Sequence, residues 1–194
     1  HYAWNSLVVA LATTAIGLVL ACTAAYALSR FRFAGRRFGL ATFLAVQMFP
    51  GTLLLMPLYV ILHKLGLLNR LFGLVLVYAT TAIPFCVWTL KGYFDSLPKE
   101  LEEAARLDGA SAFMIFWKVM LPLAKPGLAV TGLFCFMTAW NEFIFALVIM
   151  QRPGSKTLPV WLQEFNEGAR GTDWGGVMAG STVMAIPVIV FFLI

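Results

Sequence analysis

The sequence predicts an all-α, polytopic transmembrane helical bundle with five spans in its 194 residues. Its composition is 61% hydrophobic and 12% charged, whereas soluble domains average about 45–50% apolar and about 25% charged residues. The apolar residues are also bunched. Runs 5–29, 38–62, 71–90 and 175–194 contain no Asp, Glu, Lys or Arg, and run 127–150 contains Glu142 alone. Each reaches the roughly 20 residues, at about 1.5 Å rise, that cross a bilayer as helix. A transmembrane β-barrel would alternate polar and apolar residues at every second position instead.

The first run, 5–29, has no basic flank before it and is too long for a signal peptide. Ala21 and Ala25 give it a small-residue stripe, as Gly176 and Gly180 do for the last run. Side chains of that size let helix backbones approach closely where lipid offers no hydrophobic drive. Pro50 and Pro57 lie in the second run, Pro84 in the third and Pro187 in the fifth. Each removes a backbone hydrogen bond and can kink its helix. Four together fit a protein that bends to move something. Cys22, Cys86 and Cys135 all fall in apolar runs, which argues against a disulfide framework, and no cluster of Cys and His suggests a metal.

Basic residues set the orientation. The first connection carries Arg30, Arg32, Arg36 and Arg37; the third, 91–126, carries Lys91, Lys99, Arg106, Lys118 and Lys125. The other two hold Lys64 and Arg70, then Arg152, Lys156 and Arg170. Nine against five places the first and third connections in the cytoplasm, with the N-terminus outside and the C-terminus inside. The net charge of +5 then reads as topology and not as nucleic-acid binding. The chain is expected to form one transmembrane domain over 1–194. It is also expected to be a piece of a longer protein, because it starts at His1 and stops within an apolar run.

The third connection is the polar exception. Residues 96–108 suit a short helix, with Pro98 near its first turn, Glu100, Glu102 and Glu103 at its positive end, and Gly109 as terminator. Leu97, Leu101, Ala104 and Ala105 make one apolar stripe, which the two alanines keep flat. A second helical stretch starts after Ser111 and is expected to end before Pro122. Helices that lie on lipid favour Lys and Arg on the polar face. This acid-rich one would be repelled by anionic lipid, which favours a protein partner.

From Glu103 the connection reads Glu-Ala-Ala, three residues, Gly109, nine residues, Val119, one residue, Leu121-Pro122. This pattern resembles the coupling loop of permease subunits in binding-protein-dependent ABC importers. Gln47-Met-Phe-Pro50, Gly66-Leu-Leu-Asn69, Trp88-Thr-Leu-Lys-Gly-Tyr-Phe94 and Trp140-Asn-Glu-Phe143 extend the resemblance over nearly the whole chain, toward the smaller permease of maltose-transporter type. The resemblance implies a type I importer permease fold with six spans in the full subunit. It implies a bacterial cytoplasmic-membrane complex containing a second related permease, two ATPase subunits and an extracytoplasmic solute-binding protein. Glu103, Ala104, Ala105 and Gly109 would dock into the ATPase, and Leu121 and Pro122 would re-aim the chain into the next span. The chain has no Gly-x-x-x-x-Gly-Lys-Ser/Thr loop, so ATP and Mg belong to the partner, and this subunit is a transporter component and not an enzyme.

Glu142 is the one formal charge within the runs, and an intramembrane carboxylate is a functional candidate by default. Counted along one helix from Gly127, it lies about 22 Å in. With Trp140, Asn141 and Phe143 it offers an aromatic face and an amide, either for a sugar path or for the contact with the second permease; the interface reading is favoured. In the outer connection 151–174, Leu158, Val160, Trp161 and Phe165 are expected at the membrane interface. Asn166, Glu167 and Gly168 form a polar tip, which the resemblance implies would meet the binding protein. A secondary transporter would need more intramembrane acids or bases than this. A phosphorylated solute such as glycerol phosphate would favour Arg or Lys in the path, and the runs contain neither.

Overall fold

The computed structural model describes residues 1–165 and 172–193, and all regular structure among them is helical. Helix α1 (Tyr2–Arg30) is continuous. The run expected over 38–62 is divided. Helix α2 (Arg36–Met48) ends before Phe49, whose backbone is extended (φ −82°, ψ 127°), because the ring of Pro50 disfavours helix in the preceding residue. A 3₁₀ turn, Gly51–Leu54, then leads into α3 (Leu55–Lys64). Helix α4 (Leu71–Ser96) absorbs Pro84 and outruns the expected limit at residue 90.

The expected coupling region folds as α5 (Glu100–Leu107), α6 (Ala112–Ile115), a π-helical turn Phe116–Met120 and α7 (Leu121–Leu123). Pro122 does not stop this stretch, because it sits in the first turn of α7, where no N–H is needed. The axis bends by 74° at Ala124 into α8 (Lys125–Trp140). Residues 141–143 interrupt the run again before α9 (Ile144–Ile149). A 3₁₀ turn at Pro153–Ser155, α10 (Leu158–Gln163) and α11 (Trp174–Leu193) complete the order. Among the described residues α1, α4 and α11 are long and apolar enough to span alone, and there are five spans when each bent pair counts as one.

Contacts divide the chain into two compact units. One comprises His1–Thr14, Pro50–Thr80 and Cys135–Ile194. Its core gathers Val9, Leu74, Tyr78, Phe136, Trp140, Ile149 and Leu158. Leu158 and Val160 are buried, and Trp161 stacks on Tyr2 at 5.4 Å. Polar side chains pin the segment ahead of α10. Asn5 Nδ2 donates to the carbonyls of Gly154 (3.1 Å) and Lys156 (3.0 Å), and Leu158 N–H donates to Ser6 Oγ (2.8 Å). Asn69, in the left-handed region at φ 59°, accepts from Arg152 N–H at 2.8 Å.

The glycine pair of α11 faces α10: a Cβ at Gly176 would meet Phe165 at 2.5 Å, and one at Gly180 would collide with Leu162. Gly180→Val is therefore expected to destabilise the purified protein by about 1–3 kcal/mol, the usual cost of overpacking. Gly92→Ala, where a Cβ meets nothing within 4 Å, should leave the melting temperature in detergent unchanged. Equal melting temperatures for the two variants would exclude close α10–α11 packing.

The second unit comprises Ala15–Phe49 and Thr81–Phe134. Ala21 and Ala25 are fully buried there, as their spacing predicts. The Tyr26 ring packs against Phe94 (5.6 Å) and Phe116 (4.9 Å). Tyr93 Oη donates to the carbonyl of Leu123 at 3.3 Å, beside the bend at Ala124. Gly127 is needed for this approach, because a Cβ there would lie 2.6 Å from the Tyr93 ring.

Candidate functional site

The first group of candidates lies on and just after α5. The helix opens with Glu100, Glu102 and Glu103 against its positive end. Its close is a Schellman motif: Gly109 N–H donates to Arg106 O and Ala110 N–H to Ala105 O, both at 3.0 Å. Gly109 takes φ +84°, a conformation that suits glycine. Ser111 then caps α6 by accepting from Met114 N–H at 3.3 Å.

The exposed surface of α5 is unusual. Glu103, Ala104 and Gly109 are exposed and Ala105 is half-buried. Leu107 is 89% exposed and Phe113, just beyond, 71%. On the apolar stripe Leu101 and Ala104 are exposed and Ala105 half-buried, and the one buried residue of α5 is Glu102. A two-turn helix that buries a carboxylate and exposes leucine is shaped for a partner and not for its own core. Leu121 is half-buried and Pro122 exposed, on the turn that leads to the bend at Ala124.

Glu102 was legible in the sequence only as one acid among three. It forms an ion pair with Arg30 Nε, the side chains being 6% and 4% exposed, respectively. It also accepts from Tyr26 Oη at 3.2 Å. Arg30 Nη2 donates to Leu97 O at 2.9 Å, and the preceding Ser29 Oγ donates to Asp95 at 2.6 Å. No spacing rule joins residues this far apart in sequence.

The second group surrounds the break after α8. Glu142 lies not inside a helix but at residues 141–143, so a depth counted along one helix does not apply. Its carboxylate caps α9, accepting from Phe145 N–H (2.9 Å) and Ala146 N–H (3.1 Å). Trp140 is 3% exposed, stacks on Phe136 at 5.7 Å and donates its indole N–H to Met184 O at 3.0 Å. One face of its ring is thus covered by packing within the chain. Phe143 is half-buried. Asn141 is exposed, and it shares an open cleft of about 440 Å³ with Ser181, Met184, Ala185, Val188 and Ile189. Ser181 was not singled out by sequence reasoning, having no motif around it. The third group, Asn166, Glu167 and Gly168, lies outside the described residues.

The chain matches the family model of the binding-protein-dependent transport system inner membrane component over residues 6–194. It is 40% identical over 192 residues to the diacetylchitobiose uptake system permease protein of Streptomyces coelicolor, covering 99% of this chain and 69% of that protein. It is 37% identical over 188 residues to the maltodextrin transport system permease protein of Bacillus subtilis, covering 97% and 68%. Among solved structures it resembles a chain of a bacterial ABC transporter involved in the import of the acidic polysaccharide alginate. The TM-score is 0.80 and the identity 28%, over 98% of this chain and 71% of the other.

Proposed function

Because the chain belongs to the family of binding-protein-dependent transport system inner membrane components, we propose that it is a permease subunit of an ABC importer carrying a sugar. The solute is a disaccharide or oligosaccharide of maltose type, moved across the bacterial cytoplasmic membrane by alternating access. A second permease completes the path, two ATPase subunits hydrolyse ATP with Mg, and an extracytoplasmic binding protein delivers the solute. The observation that carries this reading is α5 with its Schellman end, where Glu103, Ala104 and Gly109 stand exposed beside Leu107 and Phe113. In this reading that surface docks into the ATPase, and Leu121 and Pro122 lead from the docked segment into the bend. A neutral solute fits apolar runs without Arg or Lys.

The test is reconstitution in liposomes with a second permease, ATPase subunits and an extracytoplasmic binding protein. Uptake of labelled maltodextrin or chitobiose, dependent on ATP and on the binding protein, is the expected result. Uptake of glycerol phosphate instead would overturn the sugar assignment, and uptake without ATP would overturn the importer.

In the same reading the connections carrying Arg30–Arg37 and α5 face the cytoplasm. Single cysteines at the exposed Ala34 and Ala112, in a background lacking Cys22, Cys86 and Cys135, should resist impermeant thiol reagents in intact cells. A cysteine at exposed Gly154 should react. The reverse pattern would invert the topology and remove α5 from the ATPase side.

A further inference from the structure

We propose that Arg30 and Glu102 are positioning residues that latch α5 to the end of span α1, so that α5 and α1 move together during the transport cycle. This rests on α5 being the ATPase-docking helix. Helix α5 has 8 residues, too short to hold its shape alone, since isolated helices under about 12–15 residues are marginal. Packing does not compensate, because Glu102 is its one buried residue.

What meets Glu102 is the last residue of α1, a helix of 29 residues, or about 43 Å. The ion pair is almost entirely out of solvent. Arg30 also holds Leu97 O, in the segment leading into α5, at 2.9 Å, and Tyr26 Oη reaches Glu102 at 3.2 Å. One side chain of α1 thus grips the approach to α5, and two grip its buried face. Ser29 Oγ donates to Asp95 at 2.6 Å, joining the last turns of α1 and α4 beside the same point, and Lys91, one turn back on α4, holds the same carboxylate at 2.5 Å.

Buried ion pairs contribute little net stability, and apolar pairs of similar size often replace them without loss. What such a pair does supply is a fixed position: a charge with one partner has one place to sit. That makes this pair suited to transmitting a displacement and poorly suited to merely strengthening the fold.

The experiment uses the complete complex in liposomes. Glu102→Gln keeps the shape and the Tyr26 contact but removes the charge. It is expected to retain the ATPase subunit and basal hydrolysis while lowering binding-protein-stimulated hydrolysis and transport at least tenfold. The double variant Arg30→Met with Glu102→Leu removes both charges; it should melt near the wild type yet transport at least tenfold more slowly. If the double variant recovers transport along with stability, the pair is merely structural and the latch is overturned. Normal stimulated transport in Glu102→Gln would overturn it too.

A direct measurement does not depend on either variant folding. Spin labels at the exposed Thr23 on α1 and Glu100 on α5 should keep one separation in the resting and ATP-bound complexes. A change of more than about 5 Å, the length of one helical turn, would show that the two elements move independently. Loss of the latch leaves the ATPase subunit bound. Failure of the docking reading appears elsewhere, as normal ATPase binding and transport when a charge is placed at Gly109.

Discussion

Gly109→Asp and Ala105→Asp are expected to abolish transport while leaving the permease folded. At Gly109 the backbone is left-handed, φ +84°, and nothing lies within 4 Å of an added Cβ. The intramolecular cost is therefore backbone strain, of about 1–2 kcal/mol for an ordinary residue and less for Asp, which tolerates this region. The larger cost falls on docking. A carboxylate carried into a tight interface without a partner is opposed by about 3–5 kcal/mol, which is more than a hundredfold in affinity. Gly109→Asn separates the two terms, since Asn accepts the same backbone and brings no charge. Tagged Gly109→Asp and Ala105→Asp permeases should lose most of the co-purifying ATPase subunit, and Gly109→Asn should keep it. Equal retention by all three, with normal ligand-stimulated hydrolysis, would remove these residues from the docking surface.

The readability of the chain divides by the range of the interaction. Span existence was legible because hydropathy is a local property, and the end of α5 was legible because Gly109 marks its own conformation. Pro50 announced a break, although the sequence left open that Phe49 would leave the helix for extended backbone. The interruption at 141–143 had no such sign. It contains neither Pro nor Gly, and it is held by Glu142 turning forward onto the start of α9. Gly176 and Gly180 signalled close packing, but their partners Leu162 and Phe165 emerge only from the fold. Hydrophobic periodicity found the apolar stripe of α5 but gave no sign of which polar residue would be buried. There the buried group is a carboxylate, stabilised by an arginine far away in sequence. Trp140 carried a similar ambiguity, since an aromatic within a span reads alike whether it packs or binds.

Variants at the break after α8 should show two separate effects, one from Glu142 and one from Asn141. Glu142→Ala removes the acceptor for two backbone N–H groups of α9 and is expected to cost about 1–2 kcal/mol, the upper range for losing a helix cap. Glu142→Gln keeps one carboxamide oxygen and should cost less. Complex yield should fall with stability in both, and solute preference should not change, because the carboxylate is turned onto its own backbone. Asn141 is the exposed polar group of this region, and it sits in the cleft with Ser181. Its amide donates to Met137 O at 3.0 Å, which leaves its carbonyl oxygen to accept from a partner. Asn141→Leu is expected to reduce assembly with the second permease while melting like the wild type and preferring the same sugar. A shift in sugar affinity at unchanged assembly would assign Asn141 to the path and not to the interface. If instead Glu142→Gln changed sugar preference without changing stability, the cap would be incidental and the carboxylate itself would face the solute.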